Sequence, residues 1–414
     1  MIILGNEFCE EISHRLAIVM DHARTKGWMP ERKKSMRTFG ITEAARMCGR
    51  TTETIRNLEK EKKFPPPIIE TSADGKTTRR AYTLENINAM RDYFHTRSKK
   101  TGKKPAVIAI ANFKGGVSKS YTAIHLAQAL ALKGYRLLVA DLDSQASATL
   151  LAGLIPSEEI HESDTLLPYF RRPLEGERTR LNFIQNVKSL IRKTYFSGID
   201  LIPAGLALYN IELEIPVRNA QAHMQNRAFE FHEMLRDAIY GNETIQGIAD
   251  DYDFIILDCP PSMSVANINA IYAANSLLVP IPPSYIDISS SKQFFEMLEN
   301  VFKVYPNHKF NLVKIIITKH EQNATQEQQS HNHEIAKVLK HYLQDMALDA
   351  TMPYSSAITK TSSVLKTIFD VTPKEFKEIL YGSPKTLKNA IDSANDIAFE
   401  VEKFAKEYVW EKTT

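Results

Sequence analysis

Val107-Ile-Ala-Ile-Ala-Asn-Phe-Lys-Gly-Gly-Val-Ser-Lys-Ser120, followed by the run Tyr121 to Leu132, is the stretch from which the rest of the chain can be placed. Val107 to Ala111 is a short apolar run that reads as a buried strand, and from Tyr121 onward apolar residues recur at helical spacing. A glycine loop therefore joins a strand to a helix. At such a junction the first backbone N–H groups of the helix are unpaired and its dipole favours negative charge, the geometry a nucleotide phosphate requires. Gly115 and Gly116 let the backbone close around phosphates without a side-chain clash. Lys119 then sits against the outer phosphates, and the Ser120 hydroxyl is placed as a magnesium ligand.

The common phosphate-loop pattern G-x-x-x-x-G-K-[ST] is missed, because Phe113 and Ser118 stand where its outer glycines belong. Lys114 precedes the glycine pair instead, and the resulting K-G-G-x-x-K-S resembles the deviant phosphate loop of the ParA/MinD ATPases. That resemblance implies that Lys114 reaches across a dimer interface to the partner's nucleotide. It also implies that Lys114, Gly115, Gly116, Val117, Ser118, Lys119, Ser120 and Tyr121 together cradle ATP or ADP with Mg2+. Ser118 replaces the family's usual glycine, so the loop has to tolerate a side chain there.

Two further apolar strands end in carboxylates. Arg136-Leu-Leu-Val-Ala-Asp-Leu-Asp143 runs into Ser144-Gln145, and Asp253-Phe-Ile-Ile-Leu-Asp258 runs into Cys259-Pro-Pro261. In an open α/β sheet, acidic residues at the carboxyl ends of strands face the same crevice as the phosphate loop. Asp143 is placed to polarise an attacking water or to help fix magnesium, and Asp258 to hold magnesium through water. The family motif is D-x-D-P-Q, and Ser144 departs from it at the proline, a change of loop stiffness more than of chemistry. Strands are also expected at 276–281 and 312–318, and Pro280-Ile-Pro-Pro283 resembles the family's nucleotide-base loop, with Pro282 at the base. Cys259 reads as a packed small residue.

A chain of 414 residues, 43% apolar and 24% charged, has room for two or three globular domains with a sizeable core. It contains no apolar run of bilayer length, and its N-terminus lacks a basic start, so neither a membrane span nor a secretory signal is expected. Three widely spaced cysteines fit reduced thiols in a cytoplasm better than a disulfide framework. The net charge of +3 is uneven: residues 1–104 carry about +9 and the remainder about −6. A basic head on a mildly acidic body points to nucleic acid.

Within that head, Phe8, Ile12, Leu16, Val19 and Ala23 form the stripe of an amphipathic helix that must be covered by its own chain or by a second copy. Gly40 to Glu59 read as a helix-turn-helix, with Gly49 in the turn and Thr51 or Thr52 capping the second helix. Thr51, Thr52, Arg56 and Asn57 lie on the side expected to face a DNA major groove. A hairpin around Asp74-Gly75 follows, made basic by Lys76, Arg79 and Arg80, and then a helix carrying Leu84, Ile87, Met90 and Phe94. Residues 39–95 resemble the winged helix-turn-helix of MerR-type regulators, through T-x-x-T-I-R-N-x-E and R-R-x-Y-T. At the other end, Thr386 to Trp410 form a helix without the basic face of a membrane-targeting helix, expected to pack on the sheet.

Taken with KGGVSKS, DLDSQ, FIILDCPP and VPIPP in order, the chain resembles the large plasmid-partition ATPases of the ParA/SopA type over nearly its whole length. The expected fold is α/β: a deviant P-loop NTPase with a mostly parallel sheet and helices on both faces, preceded by an α-helix and a winged helix-turn-helix. The expected boundaries are 1–36 for a dimerisation helix, 37–97 for the winged module, 98–105 for a basic linker and 106–414 for the ATPase. The resemblance implies a homodimer in which the N-terminal helix pairs two copies. It also implies specific operator DNA, nonspecific bulk DNA, a ParB-type centromere-binding partner, no membrane, and a cytoplasmic, nucleoid-associated location; Lys360 and Lys366 are candidate lysines of the body for the nonspecific contacts. Competing readings are a membrane regulator of the MinD kind, a nitrogenase-type iron protein and a nucleotide-regulated repressor without a partition role. The first lacks its basic C-terminal helix and the second its paired cysteines. A degenerate nucleotide fold would have lost Lys119, Ser120 or Asp258, and all three are present.

Overall fold

The computed structural model describes residues 6–25, 34–71, 78–171, 187–242, 245, 247–306, 308–320 and 331–410. Helix α1 (Asn6–Thr25) precedes a small module of β1 (Phe39–Gly40), α2 (Ile41–Cys48), α3 (Thr52–Lys60), β2 (Ile68–Thr71), β3 (Thr78–Tyr82) and α4 (Leu84–Tyr93). The body then runs β4 (Ala106–Ile110), α5 (Lys119–Lys133), β5 (Leu137–Asp141), α6 (Ser147–Leu151), α7 (Pro156–Glu159), α8 (Leu167–Phe170), β6 (Arg192–Lys193), β7 (Ile199–Ile202), α9 (Asn210–Met224) and α10 (Met234–Tyr240). It closes with β8 (Phe254–Asp258), α11 (Val265–Ala273), β9 (Ser276–Ile281), α12 (Tyr285–Val304), β10 (Leu312–His320), α13 (His331–Leu343), β11 (Met352–Pro353), α14 (Ser356–Ser362), α15 (Pro373–Glu378) and α16 (Pro384–Phe404).

The body's strands form one sheet in the order β11-β10-β9-β4-β8-β5-β7-β6, parallel except for the β6–β7 pair. Both faces are covered, and the two-residue period of a strand divides its side chains between them. Ala106, Ile108 and Ile110 enter a core layer with α5 and α16, whereas Val107 and Ala109 enter the opposite layer with α11. Strands β5 and β8 divide the same way, with Leu137, Val139, Phe254 and Ile256 on the first side and Leu138, Ala140, Ile255 and Leu257 on the second. The apolar runs of the sequence are continuous because the sheet is buried on both faces.

The N-terminal module has its own three-stranded antiparallel sheet, β1-β3-β2. Gly49, at φ 66°, takes the left-handed conformation that ends α2, which costs a residue without Cβ little. The Thr51 side chain caps α3 by accepting from the Thr54 N–H. The module is not a free appendage: its buried Phe39, Cys48, Ile55, Tyr82, Ile87 and Met90 are continuous with the body layer that contains α5. Arg91 donates to the Leu132 carbonyl at 2.8 Å and Arg97 to the Gly134 carbonyl at 2.9 Å, so two arginines cap the C-terminal end of α5, the favourable place for cations on a helix.

Three expectations are amended. The basic linker at 98–105 is fastened to the body, because the Lys100 N–H donates to Asp253 at 3.0 Å and its ammonium to the Ala249 carbonyl at 2.8 Å. Lys34, placed by sequence in the dimerisation segment, is buried in the body. The C-terminal helix packs first on α5, with Leu387, Ala394, Ile397 and Val401 on its buried face, and the π-helical stretch Ala405–Trp410 that continues it meets the sheet, where Trp410 lies edge-on to Phe254. On α1, Phe8, Ile12, Leu16 and Val19 are all exposed, so these residues of the apolar stripe stay uncovered among the described residues.

Candidate functional site

The loop from Ala111 to Ser118 leaves the central strand β4, and its shape is held from outside. The Asn112 amide donates to the Pro280 carbonyl (2.8 Å) and to Ser291 Oγ (2.9 Å), while its Oδ1 accepts the Lys114 N–H (3.2 Å). Thr318 Oγ1 donates to the Val117 carbonyl at 3.1 Å, and Phe113 packs edge-on against Phe294. Asn112 and Thr318 were not singled out from sequence. An asparagine directly after the apolar run 107–111 was the available signal, since an amide at the end of a buried strand has to be satisfied.

Ser118 adopts φ 74°, the left-handed region. The family's glycine at this position is thus replaced by a residue that bears the steric cost, about 1 kcal/mol. Gly115 and Gly116 are exposed and have open space where a Cβ would stand. The Lys119 ammonium folds over the loop and donates to the Lys114 carbonyl at 3.1 Å, and the residue is only 6% exposed. Lys114 itself is half-buried, as are Ser120 and Tyr121.

The carboxylates converge as the strand ends require. Asp141 and Asp258 are register partners on β5 and β8, and Asp258 also faces Ile110 at the end of β4. Asp141, noted in the sequence but given no role, is the anchored member. Its Oδ2 accepts from the Thr149 N–H and hydroxyl, both at 2.8 Å, and its Oδ1 from the Asp143 N–H at 3.2 Å. Burial pushes its carboxyl up to about 7 against the pull of those hydrogen bonds. Asp258 is fully buried, and among the described residues neither of its oxygens has a partner at hydrogen-bond geometry, the Ser120 hydroxyl lying nearby. Burial, then the Asp141 charge, raise its pKa well above the usual carboxylate range, while the nearby Ser120 hydroxyl and Lys119 ammonium oppose the rise. Burial lowers the pKa of Lys119, and Asp258 is the largest influence against that shift. An orphaned carboxylate beside a buried ammonium and a serine hydroxyl, under an open glycine loop, fits a hydrated divalent cation and a phosphate. Asp143 is half-buried, and its Oδ1 accepts the Gln145 N–H at 3.0 Å. Pro282 is buried just beyond β9, where its carbonyl accepts the Ser284 N–H. Cys259 is buried and its thiol is pushed up by burial, the state of a packing residue.

His125 lies two turns along α5 from the loop, completely buried, with Nδ1 2.7 Å from the Tyr121 carbonyl and Nε2 without a partner among the described residues. Burial lowers its pKa to about 4. A histidine depressed in the folded state contributes stability that is present above its unfolded value and lost as pH falls through the folded one. The chain is therefore expected to lose up to about 3 kcal/mol through this group between about pH 6.5 and 4. Thermal melts of His125→Leu across that window should show a shallower acid slope than the parent; equal slopes would exclude the histidine.

On the N-terminal module, Thr51, Arg56 and Asn57 are exposed on α3, with Thr52 half-buried. The Thr51 hydroxyl is engaged in the helix cap with Thr54. The hairpin is less freely basic than its sequence. Arg79 pairs with its cross-strand neighbour Glu70 at 2.6 Å and Arg80 with Glu59 at 3.4 Å, while Lys76 and the Asp74-Gly75 turn lie outside the described residues. Lys360 donates to the Tyr381 carbonyl at 2.6 Å, and both Lys360 and Lys366 are half-buried.

The comparisons with known proteins agree with this architecture. The family model described as "AAA domain" (AAA_31) matches residues 105–312. Protein SopA of Escherichia coli (strain K12) is 36% identical over 316 residues, 75% of this chain and 76% of that protein. A solved structure titled "Partition Protein" covers 95% of this chain and 99% of its own at TM-score 0.61 and 18% identity. A cobyrinic acid a,c-diamide synthase from Mycobacterium smegmatis, solved with ADP and magnesium, shares the fold at TM-score 0.50 and 20% identity, covering 75% of this chain and all of its own. With the deviant loop, its buried carboxylates and this degree of identity to SopA, the chain belongs to the ParA/SopA family of partition ATPases.

Proposed function

We propose that this ATPase binds ATP and magnesium at Lys114 to Tyr121, hydrolyses ATP as a closed homodimer, and uses that cycle to segregate a low-copy plasmid with a ParB-type centromere-binding protein. The observation that carries the nucleotide reading is the orphaned, fully buried carboxylate of Asp258 beside Lys119. Lys119 sets its charge against the outer phosphates, and Ser120 with Asp258 hold the cation, Asp258 through water. Magnesium, when bound, neutralises phosphate charge. Asp143 orients the attacking water, Pro282 borders the base, and Lys114 reaches the partner's nucleotide on closure. The uncovered stripe of α1 supports pairing of two chains through that helix.

The N-terminal module, in this reading, is a winged helix-turn-helix that represses the chain's own operon. It uses Thr51, Thr52 and Arg56 on α3 and Lys76, Arg79 and Arg80 on the wing. Bulk DNA is bound separately by the ATP-dependent dimer, with Lys360 and Lys366 as candidates.

Hydrolysis measured with and without DNA and partner protein tests the assignment, and hydrolysis indifferent to both would favour a repressor without a partition role. Lys114→Ala and Asp143→Asn are expected to lower turnover about 10- to 100-fold while ATP affinity changes by less than about threefold, because both act on groups present only in the closed state. Calorimetry beside single-turnover kinetics separates the two quantities. A Lys114→Ala protein that binds ATP as poorly as a Lys119→Ala protein would remove the cross-dimer role.

A further inference from the structure

A buried cation from the N-terminal segment closes on the C-terminal end of α6. Lys34 precedes the winged module, yet its side chain is only 9% exposed. Its ammonium donates to the Leu151 carbonyl at 2.7 Å, lies 3.7 Å from Asp370 Oδ2, and sits 5.0 Å from the Tyr195 ring centroid. Asp370 is itself 2% exposed and accepts from the Tyr195 hydroxyl at 2.7 Å, while Gln128 of α5 donates to that hydroxyl at 3.1 Å. Gly153, at φ 96°, completes the fit. A Cβ there would stand 2.9 Å from the Tyr195 ring and 3.3 Å from Lys34 Cδ, so only glycine lets both side chains lie against the backbone.

Leu151 is the last residue of α6, the helix that follows Asp141-Leu-Asp-Ser-Gln145 directly. Thr149, two residues earlier, makes both hydrogen bonds to Asp141 Oδ2, and the Ala204 N–H fixes the Thr149 hydroxyl at 2.9 Å. Asp141 in turn holds the Asp143 N–H. A contiguous series of hydrogen bonds and one helical turn thus joins Lys34 to the carboxylates at the site. The exposed α1 is attached to the same segment, separated from Lys34 by residues 26–33.

We propose that Lys34 is a positioning residue for hydrolysis: by holding the C-terminal end of α6 it fixes Thr149, and through Thr149 the placement of Asp141 and Asp143. Asp370 and the Tyr195 ring, which phenylalanine retains, keep the ammonium in place, and the N-terminal segment becomes part of the catalytic geometry. This rests on the reading of Asp143 as the residue that orients water, but its first test does not.

That test uses the full-length chain without nucleotide, comparing Lys34→Met, which keeps the apolar stem, Lys34→Arg, which restores a donor, and Tyr195→Phe, which perturbs the same cluster but leaves the bond to Leu151. Amide exchange over residues 145–151 should rise about tenfold in Lys34→Met, return toward the parent in Lys34→Arg, and stay near the parent in Tyr195→Phe. Unchanged exchange in Lys34→Met, or an equal rise in Tyr195→Phe, would overturn the proposal. If Lys34→Met does not fold, the Lys34→Met, Asp370→Asn double variant removes the stranded carboxylate and replaces it in the comparison. In turnover, Lys34→Met should lose about tenfold in kcat with KM within about twofold, the scale of lost second-layer support. A parallel rise in KM, or full kcat, would also overturn it. A parent protein that hydrolyses no ATP would instead overturn the function proposed above, and the exchange comparison would still decide the positioning.

Discussion

Lys119→Ala is expected to reduce affinity for magnesium and ATP by at least about 100-fold, which is about 3 kcal/mol. The ammonium is buried, lies over the loop, and opposes the raised pKa of Asp258. Its removal takes away the point charge that meets the phosphates and also leaves a buried carboxylate pair without its nearest cation. Lys119 is also among the groups that favour the ionised form of Asp258, so its loss weakens the carboxylate that would hold the cation as well as the contact to phosphate, and the effect should exceed that of a single surface charge, worth about 0–1 kcal/mol. Calorimetry gives the affinity, and a thermal melt without ligand confirms that the variant is folded. An ATP affinity within a few fold of the parent would refute the site.

The second large effect concerns DNA. Arg56→Ala is expected to weaken operator binding by about 10- to 100-fold, the cost of one lost base-edge contact, while ATP-dependent binding to bulk DNA stays near the parent value. Arg56 is exposed on the open side of α3, where a groove-inserted helix carries sequence information. Arg79→Ala should have the smaller effect, because Arg79 is paired with Glu70 and has to leave that partner to reach a phosphate. The pair is solvent-exposed and costs little to break. Footprinting on the operator and a salt titration on random DNA read the two modes apart. Full operator protection in the Arg56→Ala, Arg79→Ala protein would sink the winged-helix reading, and equal losses on both DNAs would mean one shared surface.

Deleting residues 1–104 is a poorer experiment than the sequence implies. The module's core is continuous with the body layer around α5, and Arg91 and Arg97 satisfy carbonyls at the end of that helix. Truncation would expose apolar surface and leave those carbonyls without their cations, so point variants are the cleaner comparison.

The sequence by itself marked the five main strands of the body, the glycine loop between the first of them and its helix, and the carboxylates that end two of them, because these are written in local pattern. Continuous apolar runs mark strands buried on both faces, a glycine pair with lysines marks the loop, and a strand-terminal aspartate in a parallel sheet has one crevice to face. The packing of the N-terminal module on α5, the burial of Lys34 beside Asp370, and the clamp of Thr149 on Asp141 depended on the tertiary structure. So did the pairing of Asp141 with Asp258 and the support that Asn112 and Thr318 give the loop. The physical reason is that all but the Thr149 clamp join residues far apart in the chain, and none of them has a period or spacing to announce it. A lysine in a basic stretch reads as solvated until the fold shows a carboxylate and a helix end closing around it.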